Sequence, residues 1–189
     1  MTAGRLLARL TIGGLFVGHG TQKLFGWFGG PGPEKTAGMM EKLEMHPPRR
    51  NAIAAGVSET AGGALVALGA FTPLAASMLA GTMFTAIRKV HGPKGPWNTD
   101  GGYEYNATLI TALAALVECG PGAPSVDRAL GIERTGARWA LAAIAAGAIG
   151  SALAMEAGAR EAEQAPAQSP PSQPQPQHTN GRPVPAGIA

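Results

Sequence analysis

Residues 74–120 read LAASMLAGTMFTAIRKVHGPKGPWNTDGGYEYNATLITALAALVECG: an apolar run, a polar and aromatic stretch, then a second apolar run. Gly92, Pro93, Gly95, Pro96, Gly101 and Gly102 break the middle, so the chain turns there and the two runs form a helical hairpin. A plain helix–helix connection needs a few Gly, Pro or Asn residues and little else. This one carries Trp97, Tyr103 and Tyr105, three of the ten aromatic residues in the chain, together with His91, Lys94, Asp100, Glu104 and Asn106.

Similar runs recur along the 189 residues, at about 6–25, 52–71, 74–90, 103–119 and 139–155. Each has about the length that a bilayer core requires. Only 14% of residues are charged, against about 25% in soluble domains. The scattered polar residues make no wide charged face of the kind a soluble amphipathic helix presents. The expected fold class is therefore all-α, a transmembrane helical bundle with four helices in 1–130 and a fifth span in 131–156. Residues 157–189 hold seven of the sixteen prolines and much Gln and Ala. Such a segment has too little apolar content to fold, and disorder is expected there.

Arg5 and Arg9 precede the first run as in a signal peptide, but no A-x-A-like cleavage site follows, so a retained span is expected. Small residues four apart, Gly14 with Gly18, Ser58 with Gly62 and Ala143 with Gly147, are expected to let helices approach closely. Between the first two runs, residues 34–45 place Met39, Met40 and Leu43 at helical spacing among charges. That is a short amphipathic helix, lying on the membrane surface or packed on the bundle.

The net charge of +3 and pI of about 9.4 raise nucleic acid as a partner. The basic residues are scattered in short loops without aromatic interleaving, which argues against it; the loops of a membrane protein account for the same charge. The lone Cys119 excludes an internal disulfide, a CxxC redox pair and a thiolate metal site. No dinucleotide glycine motif is present, and no His pair has metal or haem spacing.

Successive spans alternate sides. With the side reached at the end of the first span called side B, that side collects His19, Gln22, Lys23, Glu59, Arg88 and the whole 91–106 hairpin. Side A holds the N-terminus, the tight Pro73 turn and the 120–138 loop, and the polar chemistry is expected almost entirely on side B. His19 and Glu59 lie roughly 10 Å inside their helices at 1.5 Å per residue. His19 and Lys23 share a helix face, so Glu59 meets one or the other. A buried acid within a span marks a functional site by default, or else a polar tie between helices. The hairpin has two readings as well: an interfacial belt of Trp and Tyr, or a loop that closes a polar site, for which His91, Glu104 and Asn106 speak.

The stretches HGTQKLFGWFGG, GVSETAGGALVALGAFTPLAASMLAGTM and HGPKGPWNTDGGYEYN, in that order, resemble the DoxX family of small bacterial integral membrane proteins over about residues 5–130. The resemblance implies a four-helix transmembrane core and says nothing of the fifth span or the tail. It takes its name from a subunit of a thiosulfate:quinone oxidoreductase, which implies a quinone-linked redox role in the bacterial inner membrane. Candidate site residues are His19, Gln22, Lys23, Glu59, Arg88, His91, Trp97, Tyr103, Glu104 and Asn106. Those expected to contact a quinone cofactor are His19, Glu59, Trp97 and Tyr103, and no metal is expected. The competing expectation is a non-enzymatic scaffold or assembly factor that recruits redox partner proteins; whether the chain is itself an enzyme is open. Ten Lys and Arg lie on side B against five on side A, which places side B in the cytoplasm.

Overall fold

A computed structural model describes residues 3–164. All regular structure among them is helical. Five long helices, α1 (Ala3–Phe25), α3 (Pro48–Leu68), α4 (Thr72–Ala86), α5 (Glu104–Cys119) and α7 (Ala137–Gln164), correspond to the five apolar runs. Two shorter ones lie in connections: α2 (Gly32–Lys42) between α1 and α3, and α6 (Val126–Ala129) between α5 and α7. Proline and glycine set several ends. Pro48 and Pro73 fill first-turn positions of α3 and α4, where no backbone donor is needed. Gly69 ends α3 in the left-handed conformation, with the Ala70 amide returning to the Leu65 carbonyl at 2.9 Å.

The core runs through Ile12, Phe16, Val66, Leu79, Leu113, Leu116 and Val117, drawn from α1, α3, α4 and α5, and Ala140 and Ala143 of α7 join it. Leu7, Leu10, Ile53, Val57, Leu68, Leu141, Ile149 and Leu153 all face outward. An apolar exterior of that extent marks a surface made for lipid or protein, not water. By length and composition, α3 and α7 are each long and apolar enough to cross a membrane. Helix α4 has 15 residues, but its last turn opens into a π turn over Ile87–His91, so helical backbone continues to His91.

Small residues do bring helices together, though not at all the expected positions. On α1 the contact residues are Gly13 and Gly20, and side chains added at Gly14 or Gly18 would meet nothing within 4 Å. A Cβ at Gly13 would lie 2.5 Å from the Gly63 carbonyl oxygen, and one at Gly63 would lie 2.6 Å from that of Gly13. The seven-residue step from Gly13 to Gly20 follows the face turned to α3; Gly14 and Gly18 lie on other faces. Gly147 is used as expected: a Cβ there would sit 2.7 Å from the Ser77 carbonyl of α4.

Helix α2 packs on the bundle. Its Met40, with Met45 and Ala52, forms a second buried cluster against Met155 of α7, while Glu34, Lys35, Glu41 and Lys42 stay exposed. The C-terminal segment departs from expectation where it can be seen: α7 continues eight residues beyond 156. Gly158 packs near the His46 backbone, and Glu161 accepts from Arg50 at 2.6 Å, which fixes this extra length as helix. The remainder of the expected disordered tail, 165–189, lies outside the described residues. The contact of Gly158 with His46 also puts the end of α7 at the side B end of the bundle, beside the start of α3.

Candidate functional site

A cavity of about 680 Å³ opens among α1, α2, α3, α4, α5 and α7. Its lining is mainly apolar, and five of the seven methionines contribute to it: Met39, Met40, Met45, Met78 and Met83. Methionine is unbranched and polarizable, so this wall can adapt to the shape of an apolar guest. Polar groups interrupt this wall at several places.

The first is the α1–α3 wall. Lys23 Nζ donates to Glu59 Oε2 at 2.5 Å, with the two side chains 19% and 6% exposed. A buried charge pair carries a desolvation cost that further hydrogen bonds must offset. Glu59 Oε1 has no protein partner among the described residues, yet it is not one of the fully enclosed polar atoms without a partner. Glu59 lines the cavity, where this oxygen can accept a hydrogen bond from a guest. His19, one turn before Lys23, is exposed and lines the same cavity without bonding to Glu59. The longer lysine reaches the carboxylate; the imidazole stands at the cavity wall beside it.

The second place is where α4 leads into the hairpin. His91, Asn98, Tyr105 and Asn106 line the cavity there. Asn106 is buried and donates from Nδ2 to the Met83 thioether at 3.3 Å, a weak acceptor. His91 Nδ1 lies 2.7 Å from the Gly101 carbonyl oxygen, which ties the end of α4 to the far side of the loop. A third polar pair, Thr85 with Ser151 at 2.8 Å, crosses from α4 to α7 in the cavity wall.

Of the ten residues singled out in the sequence, the cavity gathers His19, Lys23, Glu59, His91 and Asn106, and it leaves out Gln22, Arg88, Trp97, Tyr103 and Glu104. Arg88 is exposed on the π turn and borders a separate small cleft with Met155 and Glu156. Trp97 and Tyr103, expected as cofactor contacts, are displaced by the way the hairpin closes on itself. The Gly95, Pro96 and Trp97 carbonyls accept from the Tyr103, Glu104 and Gly102 amides at 2.9–3.1 Å. That compact loop leaves Trp97 64% exposed and starts α5 at Glu104, so Tyr105, two residues on, supplies the aromatic wall instead.

Side A holds polar chemistry that the sequence reading missed. Arg9 and Asp127 are each only 1% exposed. Asp127 accepts from the Phe71 amide at 2.6 Å and from the Thr72 amide and hydroxyl at 2.9 and 2.6 Å, capping α4. Arg9 Nη2 donates to the Pro124 carbonyl at 2.6 Å, and Arg5 donates to that of Cys119 at 2.7 Å. This set stitches the 120–136 loop to the ends of α1 and α3. Asp127 is the only acid between Glu118 and Glu133, which was the one available signal. No group of three or more His, Cys, Asp or Glu positioned for a metal ion occurs among the described residues.

Residues 4–92 match the family model described as DoxX. The match is shorter than the resemblance over 5–130: it contains α1, α2, α3, α4 and the π turn, and stops at Gly92 inside the hairpin. No curated protein and no solved structure matches the chain. The match covers both the Lys23–Glu59 wall and His91.

Proposed function

We propose that this membrane protein, a DoxX-family chain over residues 4–92, holds a quinone-type ligand in its cavity and serves as a quinone-linked redox subunit. The observation that carries the reading is the joining of a large methionine-lined apolar space to a free carboxylate oxygen of Glu59 in a single cavity. A quinone has an apolar body and tail and two ring oxygens that change protonation when it is reduced. The apolar walls suit the first, and His19, Lys23, Glu59 and His91 supply donors and acceptors for the second. Electrons would come from a partner redox protein, since the chain has no cysteine set for an iron–sulfur cluster.

All five long helices cross the inner membrane in this reading, with side B in the cytoplasm. The test is purification in mild detergent followed by mass spectrometry of co-purifying small molecules. The reading expects a quinone at near-equal stoichiometry; its absence from protein prepared from quinone-replete cells would count against it.

A second reading, a scaffold that recruits redox partners, draws on the hairpin's outer surface, where the exposed Trp97 stands outside the cavity. Exposed Trp side chains are favoured anchors in protein interfaces. Pull-downs comparing wild type with Trp97→Ala test it: loss of a reproducible partner supports recruitment, and unchanged recovery removes the hairpin from that role.

A further inference from the structure

We infer that His91 receives the ligand as a hydrogen-bond acceptor, so that this end of the cavity selects a hydroxyl-bearing ring, a hydroquinone or phenol, over one without a hydroxyl. The inference rests on the quinone reading and goes beyond it by naming the oxidation state the site favours and the atom that reads it.

The reason is a proton count. His91 Nδ1 is 2.7 Å from the Gly101 carbonyl oxygen. A carbonyl has no hydrogen to give, so Nδ1 must carry the proton and donate it. In a neutral imidazole the other nitrogen, Nε2, then holds a lone pair and accepts. Nε2 has no protein partner among the described residues, and the ring lines the cavity. The loop that fixes this tautomer is itself fixed: the Tyr103 amide donates to Gly95 and the Glu104 amide to Pro96 at 3.1 and 2.9 Å. The π turn over Ile87–His91 adds to the argument. Its wider spacing carries the Gly92 amide back to the Ile87 carbonyl and shifts His91 out of the register of α4; single π turns of this kind recur at functional sites.

A ring hydroxyl reaching Nε2 would find an acceptor already oriented, with Asn106 buried beside the same space. A ring oxygen without a hydrogen, whether quinone carbonyl or ether, would set lone pair against lone pair. The Lys23–Glu59 pair lines the same cavity, on the α1–α3 wall.

The test uses 2-decylhydroquinone and its dimethyl ether, binding the purified full chain in detergent under anaerobic conditions. Wild type is expected to prefer the hydroquinone at least tenfold, and His91→Phe should shrink that preference by about tenfold, the size of one hydrogen bond. A preference unchanged within twofold in His91→Phe overturns the inference, as does a wild type that binds both compounds equally. A wild type that binds neither retires the quinone reading and this one with it.

Nitrogen-15 NMR of histidine-labelled wild type keeps the test independent of the variant's folding, with the His91 signals assigned through His91→Gln. The expected spectrum has the proton on Nδ1 and an Nε2 resonance that moves on adding the hydroquinone but not the ether. A proton found on Nε2 in the neutral ring overturns the inference directly.

Discussion

Lys23 Nζ and Glu59 Oε2 lie 2.5 Å apart across the α1–α3 interface, and the same glutamate lines the cavity with its other oxygen unpartnered among the described residues. One acid thus ties two helices together and offers an acceptor to a guest. The arrangement makes the stability and the binding behaviour of this position separable.

Removing one partner leaves a buried charge uncompensated, which costs about 3–5 kcal/mol when burial is complete. Lys23→Met strands Glu59, whose side chain is only 6% exposed, so that range applies to it, whereas Glu59→Leu strands Lys23, which keeps some solvent and costs less. Replacing both, Lys23→Met with Glu59→Leu, removes the stranded charge and should recover most of the loss. Thermal unfolding in detergent, followed by circular dichroism, measures the cycle; a double variant as unstable as the sum of the singles would show that the pair does not interact.

The α1–α3 contact predicts a contrast between neighbouring glycines. Gly13→Leu drives a side chain into the Gly63 backbone, where a Cβ alone would already be 2.5 Å from its carbonyl. The helices must separate, and loss of stability beyond the ~1–3 kcal/mol of ordinary overpacking is expected. Gly14→Leu and Gly18→Leu point into open space and should leave the thermal midpoint nearly unchanged. The reverse ranking, read by the same melts, would place the helix face wrongly.

That contrast shows where sequence reasoning stopped. The five helices were legible because a long apolar run is a property of each segment alone. Which glycines meet was not, because a spacing of four fits several faces and only the partner helix selects one. Lys23 and His19 were equally placed for Glu59 by periodicity, and side-chain reach decided between them. Trp97 and Tyr103 were misplaced because the hairpin's internal hydrogen bonds determine which aromatic faces the cavity. Arg9 and Asp127 could not be connected at all: they stand at the two ends of the four-helix region, and only the closed fold brings both to the turn at Gly69 and Phe71.

Asp127 should be a stability residue with no part in binding. Asp127→Asn weakens charge-assisted bonds to Phe71 and Thr72, each worth about 1.5–3 kcal/mol when made to a charged group. A loss of about 2–3 kcal/mol is expected, together with faster proteolysis in the 120–136 loop, and quinone affinity within twofold of wild type. A large affinity change with unaltered stability would contradict this division of labour.

The single cysteine reports the orientation without any substitution. Cys119 is exposed at the side A end of α5. With side B in the cytoplasm, a membrane-impermeant maleimide added to spheroplasts should label it. Labelling only after the membrane is permeabilised would invert the topology.

Binding of decylubiquinol, kept reduced under anaerobic conditions, to the purified chain, compared between wild type and Glu59→Gln by equilibrium dialysis, tests the quinone site most directly, because the reduced ring has a hydroxyl to give to the Glu59 carboxylate. Glutamine keeps the shape of the side chain and removes its charge, so helix packing can be verified in the same samples by circular dichroism. The predicted result is saturable binding by wild type at one site and at least tenfold weaker binding by a folded Glu59→Gln, with Trp97→Ala unchanged. Equal affinity in wild type and Glu59→Gln would show that the Lys23–Glu59 wall is a helix tie and that the cavity does not read a quinone through it.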